Sequence, residues 1–375
     1  MNKEVISTRQ GIKMAILFLF GSTLIMGTGG APGRDMWIST LAAVIATVPV
    51  YMIYARILSL FPGKDLFEIL EHNFGKAIGK LMGIVFVWFA FHLGALVMRN
   101  IGEFIFTESL TQTPMIAPMI GFALLCIWGA KAGVETIAKC ADYFILFVMV
   151  LLVVYSLLAI PIMDVENVPP IMGKGLLSSL KGTFSAFSYP FGEALVLMYI
   201  FSSIKEKKAT YRIFLMALLV AGITISFIAL RNIMILGPFT LKSVYFPAYT
   251  AITRINIGNF LQRIEVGVTI VFLLCGFMKT SICLLGATKG LGRILGFDDY
   301  RILVTPVGLL MLNLSYIIYG SIMEMYDWAF KIWPYYAFIF EAVLPVFIWI
   351  FIEVKEKLRN TSANEDAALD EGGSS

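Results

Sequence analysis

The sequence predicts an all-α membrane protein of about ten transmembrane helices, arranged as two inverted five-helix repeats with helices 1 and 6 broken. Three observations carry this expectation. First, only 14% of the 375 residues are charged and 59% are hydrophobic. A soluble domain carries roughly 25% charged residues, so the charge here is too sparse to cover a wetted surface. Second, the mean hydropathy is +0.84, and the apolar residues fall in runs of about twenty, long enough to cross a hydrocarbon core of about 30 Å at 1.5 Å per residue. Third, two of these runs, five helices apart, carry helix-breaking residues at matching places.

Helix 1 is expected from about Ile12 to Gly30, with Gly21-Ser22 in its middle and Gly27, Gly29 and Gly30 toward its end. Helices 2 to 5 are expected over about Met36 to Leu60, Lys76 to Phe106, Met115 to Gly129 and Tyr143 to Ile160. Helix 6, about Leu176 to Ser203, carries Tyr189-Pro190-Phe191-Gly192-Glu193 in its middle. Helices 7 to 10 follow over about Tyr211 to Leu236, Leu261 to Leu285, Leu303 to Ser321 and Trp333 to Val354. These make up one transmembrane domain, residues 1–359. The segment 360–375 is polar and acidic (Glu365, Asp366, Asp370, Glu371) and is predicted to be a disordered cytoplasmic tail. The first apolar run is long and lacks a small-residue cleavage site, so no cleavable signal peptide is expected.

Orientation follows from the basic residues. With a cytoplasmic N-terminus, nineteen of the 29 Lys and Arg fall on the cytoplasmic side and seven on the other, while Arg99, Arg231 and Lys279 lie within helices. Such a bias marks the cytoplasmic face, and an even helix count places the C-terminus there too. The basic residues sit in loops between apolar spans, and the net charge is only +4, so no nucleic-acid partner is expected; the partner is the lipid bilayer.

An odd number of helices per half turns the second half over relative to the first. Interrupted helices at matching places in inverted halves point to a transporter-type ligand site. The candidate ligand-binding residues are therefore Gly21, Ser22 and Thr23 in helix 1, and Tyr189, Pro190, Phe191, Gly192 and Glu193 in helix 6. The breaks are expected to leave N–H groups unpaired near Gly21 to Thr23 and C=O groups unpaired near Tyr189 and Phe191. A zwitterionic amino acid suits that arrangement. Glu193 is the most informative residue, because an acid at bilayer depth costs about 2.5–3.5 kcal/mol on insertion scales and needs a partner or a cavity. Lys279 and Thr280 in helix 8 are candidates for a coupling or cation site: the ammonium can snorkel, fill a cation position, or pair with a buried acid. Arg99 and Glu103 are spaced to pair on one helix face; Glu341 is a further intramembrane acid. Trp37 and Trp333 are read as interface anchors. The four cysteines and two histidines form no metal-type cluster, and no phosphate loop, GxSxG elbow or HExxH is present. Neither a cofactor nor an enzymatic activity is expected.

Five segments carry a family resemblance: ISTRQGIKMAILFLFGSTLIMG (Ile6 to Gly27), RDMWIST (Arg34 to Thr40), FPGKDLFEIL (Phe61 to Leu70), YPFGEAL (Tyr189 to Leu195) and FMKTS (Phe277 to Ser281). Together they resemble the B subunits of spore germinant receptors, of the endospore germination permease group within the amino acid–polyamine–organocation superfamily. The resemblance implies the inverted-repeat fold of sodium-coupled neurotransmitter transporters. It also implies the inner membrane of a bacterial spore, assembly with an A subunit and a lipoprotein C subunit, and sensing of a small germinant. Two readings share one pocket: a germinant-sensing receptor subunit, and a secondary amino-acid transporter. A pure scaffold is a third. Reporter fusions at Lys207 and Lys331 are expected to lie on opposite faces of the membrane; the same face for both would rule out ten spans.

Overall fold

The computed structural model describes residues 5–28, 33–204, 209–255 and 264–372, with side chains as far as residue 359. Regular structure among these residues is helical. Six helices are long and apolar enough to cross a membrane: Gly33–Leu60, Leu66–Ser109, Val134–Ile162, Ala209–Ser243, Glu265–Leu295 and Ile322–Arg359. Two shorter apolar helices, Ile116–Ala132 and Arg301–Ile317, accompany them. The remaining two of the predicted ten are the interrupted ones. Helix 1 is Thr8–Phe20 followed by Thr23–Met26. Helix 6 is Leu176–Ala186, a wide turn Phe187–Phe191 and a tight stretch Gly192–Tyr199. The chain is thus a multi-pass membrane protein in two halves of five helices.

Burial is reversed relative to a soluble protein. Leu146, Leu219 and Leu310 are exposed on the outer faces of apolar helices, whereas Arg99, Glu193, Arg231, Lys279 and Glu341 are buried. Helix 8 packs along helix 3, helix 2 lies against helix 7, and helix 1 sits between helices 5, 7 and 8. This puts the broken helix 1 at the centre of the bundle.

Several boundaries differ from expectation for local reasons. Helix 1 starts at Thr8, because Ser7 and Gln10 cap it reciprocally: Ser7 Oγ accepts the Gln10 N–H at 3.2 Å, and Gln10 Oε1 accepts the Ser7 N–H at 3.1 Å. The expected loop around FPGKDLFEIL is instead the start of a helix, Leu66–Phe104, capped by Asp65, whose Oδ1 accepts the Glu68 N–H at 2.9 Å. Gly75, at φ 81°, separates this first stretch from the membrane-spanning part. Helix 5 begins at Val134 rather than Tyr143. Helix 8 runs on to Leu295 and stops at Gly296, which takes the left-handed conformation that suits glycine. Its expected start at Leu261 lies outside the described residues, as do Gly29 and Gly30. Helix 10 contains two wide turns, Trp328–Ile332 and Ile339–Val343. Trp333 is not an interface anchor: it is buried, with its ring 5.7 Å from that of Phe89, because the wide turn just before it shifts the helix phase inward. The last stretch is helical from Leu344 to Gly372. The segment 360–372 lies within this helical stretch, and Ala363, Ala367 and Ala368 favour helix intrinsically.

Arg99 and Glu103 pair as their spacing predicts, at 2.7 Å and buried. Arg99 also donates to the carbonyls of Tyr316 at 2.6 Å and Tyr319 at 2.8 Å, so it caps the end of helix 9 from helix 3. Arg99→Met leaves Glu103 buried without a counter-charge and is expected to cost about 3–5 kcal/mol. Thermal unfolding in detergent reads this loss, and adding Glu103→Leu is expected to restore most of it. An unchanged Tm in the single variant would show that the pair does not hold the two helices.

Candidate functional site

The break in helix 1 is set by Gly21. Its φ of 32° is a conformation that side-chain-bearing residues rarely adopt. A Cβ at this position would collide with the Lys279 side chain and come within 3.0 Å of the Phe18 carbonyl oxygen. Glycine therefore lets Lys279 of helix 8 reach the backbone. Ser22 Oγ accepts from Asn100 Nδ2 of helix 3 at 3.2 Å, whereas the buried Thr23 hydroxyl makes no hydrogen bond among the described residues.

The break in helix 6 is set by Pro190, which has no N–H to donate and pushes the residue before it out of the helical region. Tyr189 accordingly sits at φ −135°, ψ 105°. Helix 2 reaches the carbonyls that follow the proline: Tyr51 donates to Phe191 O at 2.7 Å, and Tyr54 donates to Glu341 O with Gly192 O 3.4 Å from its hydroxyl. On the other side, the Gly21 N–H donates to Leu17 O at 3.0 Å. Of the groups expected to be free, the Gly21 amide is thus paired within helix 1 and the Phe191 carbonyl by a tyrosine of a neighbouring helix.

The two breaks meet at an ion pair. Lys279 Nζ donates to Glu193 Oε2, and both side chains are essentially inaccessible, at 0% and 1% exposure. The ammonium also lies 5.2 Å from the centre of the Phe18 ring and 5.6 Å from that of Tyr189, distances at which aromatic faces attract a cation. Of the roles open to Lys279, pairing with a buried acid is the one the structure displays, and its ammonium lies beside the helix 1 break. The Tyr189 hydroxyl donates to Met26 Sδ at 3.8 Å, joining helix 6 to the second half of helix 1. Thr280 is buried next to Lys279, and its hydroxyl makes no hydrogen bond among the described residues. Gly21, Ser22, Thr23, Tyr189, Pro190, Phe191, Gly192, Glu193, Lys279 and Thr280 are all buried, so Glu193 lies inside the bundle rather than at a pocket edge.

An open pocket of about 500 Å³, lined by Met26, Met36, Lys242, Tyr326, Phe330 and Lys331 among others, lies above this pair. The Phe330 ring is 6.2 Å from that of Tyr189. Met26, Tyr189 and Phe330 therefore separate the pocket from the charges, and the site is closed. Sequence reading missed Tyr51, Tyr54 and Phe18. The spacing of Tyr51 and Tyr54, three apart on one helix, was the available signal. Among the described residues no three His, Cys, Asp or Glu side chains are placed to hold a metal ion.

The sequence profile of a family described as spore germination protein matches residues 5–321. The chain belongs to this spore germination protein family. Spore germination protein KB of Bacillus subtilis (strain 168) is 28% identical over 374 residues, covering 98% of this chain and 100% of that protein. The fold is shared with membrane transporters. A crystal structure of MhsT in complex with L-phenylalanine superimposes with a TM-score of 0.66 at 15% identity, over 90% of this chain and 88% of that one. A substrate-bound Na⁺-coupled sialic acid symporter gives 0.65 at 11% identity, over 86% and 75%.

Gly21→Ala and Gly75→Ala separate contact from strain in this germination protein. Both place a side chain at positive φ, which costs about 1–3 kcal/mol, but nothing lies within 4 Å of a Cβ at Gly75. Gly21→Ala must displace Lys279 as well and is expected to lower Tm distinctly more. Equal losses would show that Lys279 does not need the space.

Proposed function

We propose that this chain is the ligand-sensing membrane subunit of a spore germination receptor, and that it takes an amino-acid-like germinant between the breaks of helices 1 and 6. The observation that supports this is the Glu193–Lys279 pair, buried where the breaks meet. A zwitterion carries a carboxylate and an ammonium a few ångströms apart. With its carboxylate on Lys279 and its ammonium on Glu193, one internal ion pair gives way to two ligand pairs, and no net charge is left unpaired in the membrane interior. A neutral sugar offers neither charge. Gly21 permits close approach, the hydroxyls of Ser22, Thr23 and Thr280 supply hydrogen bonds, and Tyr189, Pro190, Phe191 and Gly192 form the wall. Because the Lys279 ammonium already lies beside the helix 1 break, this reading requires no sodium ion, and it calls for no cofactor.

In this reading the protein resides in the inner membrane of the spore with both termini on the cytoplasmic side. Its partners are a receptor A subunit and a lipoprotein C subunit. The acidic segment beyond residue 359 faces the cytoplasm as an appendage to the transmembrane domain.

The test is thermal unfolding of the purified full-length protein with a panel of amino acids and, separately, sugars. At least one zwitterionic amino acid is expected to raise Tm, with the shift lost in Glu193→Gln. Stabilisation by sugars alone, or by nothing in the panel, would overturn the reading. The fold likeness to transporters favours a second reading, active amino-acid transport. Accumulation of the stabilising amino acid, radiolabelled, in vesicles carrying this protein alone would select it; stabilisation without accumulation selects the sensor.

A further inference from the structure

Glu341 of helix 10 is an ionisable group that the ligand contacts above do not use. The wide turn Ile339–Val343 places it against the helix 6 break at 0% exposure. A Cβ on Gly192 would run into its carboxyl group. Among the described residues neither carboxyl oxygen has a hydrogen-bond partner. An ionised carboxylate at this depth requires donors or a counter-charge.

The nearby hydroxyl donors and the nearby ammonium are already engaged elsewhere. The Tyr51 hydroxyl donates to Phe191 O at 2.7 Å, the Tyr54 hydroxyl donates to the backbone oxygen of Glu341 itself, and Ser188 donates to Pro334 O at 3.0 Å. A hydroxyl has one hydrogen, so these three groups have only lone pairs left. The Tyr199 hydroxyl is bonded to nothing and does not reach Glu341 within hydrogen-bond distance. The Lys279 ammonium is engaged by Glu193. The ionisable groups around Glu341 are therefore Glu193 and Tyr199 of helix 6, Tyr51 and Tyr54 of helix 2, and Lys279 of helix 8. On its own helix, Tyr336 lies 3.2 Å from His92 of helix 3. The charge inventory is two acids against one base. Acceptors without donors suit a carboxylic acid, which brings its own hydrogen, and both oxygens are fully enclosed.

We infer that Glu341 is a proton-binding site, a neutral acid in this closed arrangement that gives up its proton to water when helix 10 parts from the helix 6 break. On release the O–H bond breaks, the electron pair stays on the carboxylate, and the proton passes to water admitted by the separation. Two carboxylates then share one ammonium, which opposes reclosure. The closed form binds one more proton than the parted form, so acid conditions favour closure and alkaline conditions oppose it. This inference does not depend on which ligand the protein takes.

The test is infrared spectroscopy of the purified full-length protein at neutral pH. A carboxylic-acid C=O band is expected in the wild type and in Glu193→Gln, and its loss is expected in Glu341→Gln. The wild-type Tm is expected to fall as the pH is raised, with that dependence flattened in Glu341→Gln. A band that Glu341→Gln leaves in place overturns the proposal. If that variant does not accumulate, Glu341→Asp keeps the acid and is expected to shift the band; an unmoved band overturns the proposal equally. Absence of the band in a wild type that sodium or potassium chloride stabilises would assign the site to an alkali cation, and overturn the proton.

Discussion

The closed arrangement depends on one ammonium meeting one carboxylate away from water. Removing two charges from solvent is costly, and their attraction repays that cost only when the geometry is tight. The geometry of Lys279 and Glu193 is tight because the backbone on both sides gives way. Gly21 has no side chain to hold Lys279 off, and the Pro190 break turns Glu193 inward. The two irregular helices and the ion pair are therefore one feature: without the breaks the charges would not meet, and without the pair the breaks would surround an uncompensated charge.

Broken helices in a membrane must satisfy their own backbone. Here helix 2 does much of this, by presenting Tyr51 and Tyr54 to the carbonyls around Phe191, Gly192 and Glu341. The same two hydroxyls hold helix 6 and helix 10 to a single neighbour. Helix 2 acts as a frame against which both irregular helices are registered.

The sequence makes the membrane class, the ten apolar crossings and the two break positions legible, because each rests on composition or on residues whose backbone effects are local: Gly21, Pro190 and Gly192. It also makes the Arg99–Glu103 pair legible, since four residues make one helical turn. The partner of Glu193 is a different matter. Lys279 lies 86 positions away in sequence, and nothing in either helix alone says that they face each other. Trp333 was misread because a wide turn shifts the phase of its helix, which hydrophobic periodicity does not register. The expectation of unpaired backbone at Phe191 failed for a related reason: its cap comes from another helix.

Helix 8 is a 31-residue helix, Glu265–Leu295, and it does not end at the membrane. Fourteen residues beyond Lys279, about 21 Å along the axis at 1.5 Å per residue, Arg293 binds Glu68 at 3.2 Å and Glu71 at 3.0 Å on the Leu66 stretch before Gly75. Lys80 grips the neighbouring Ile294 carbonyl at 2.5 Å. A rod fastened at both ends transmits displacement. One helix thus carries both the buried ammonium and a clasp at the surface, and that clasp spans Gly75, with Glu68 and Glu71 before it and Lys80 after it.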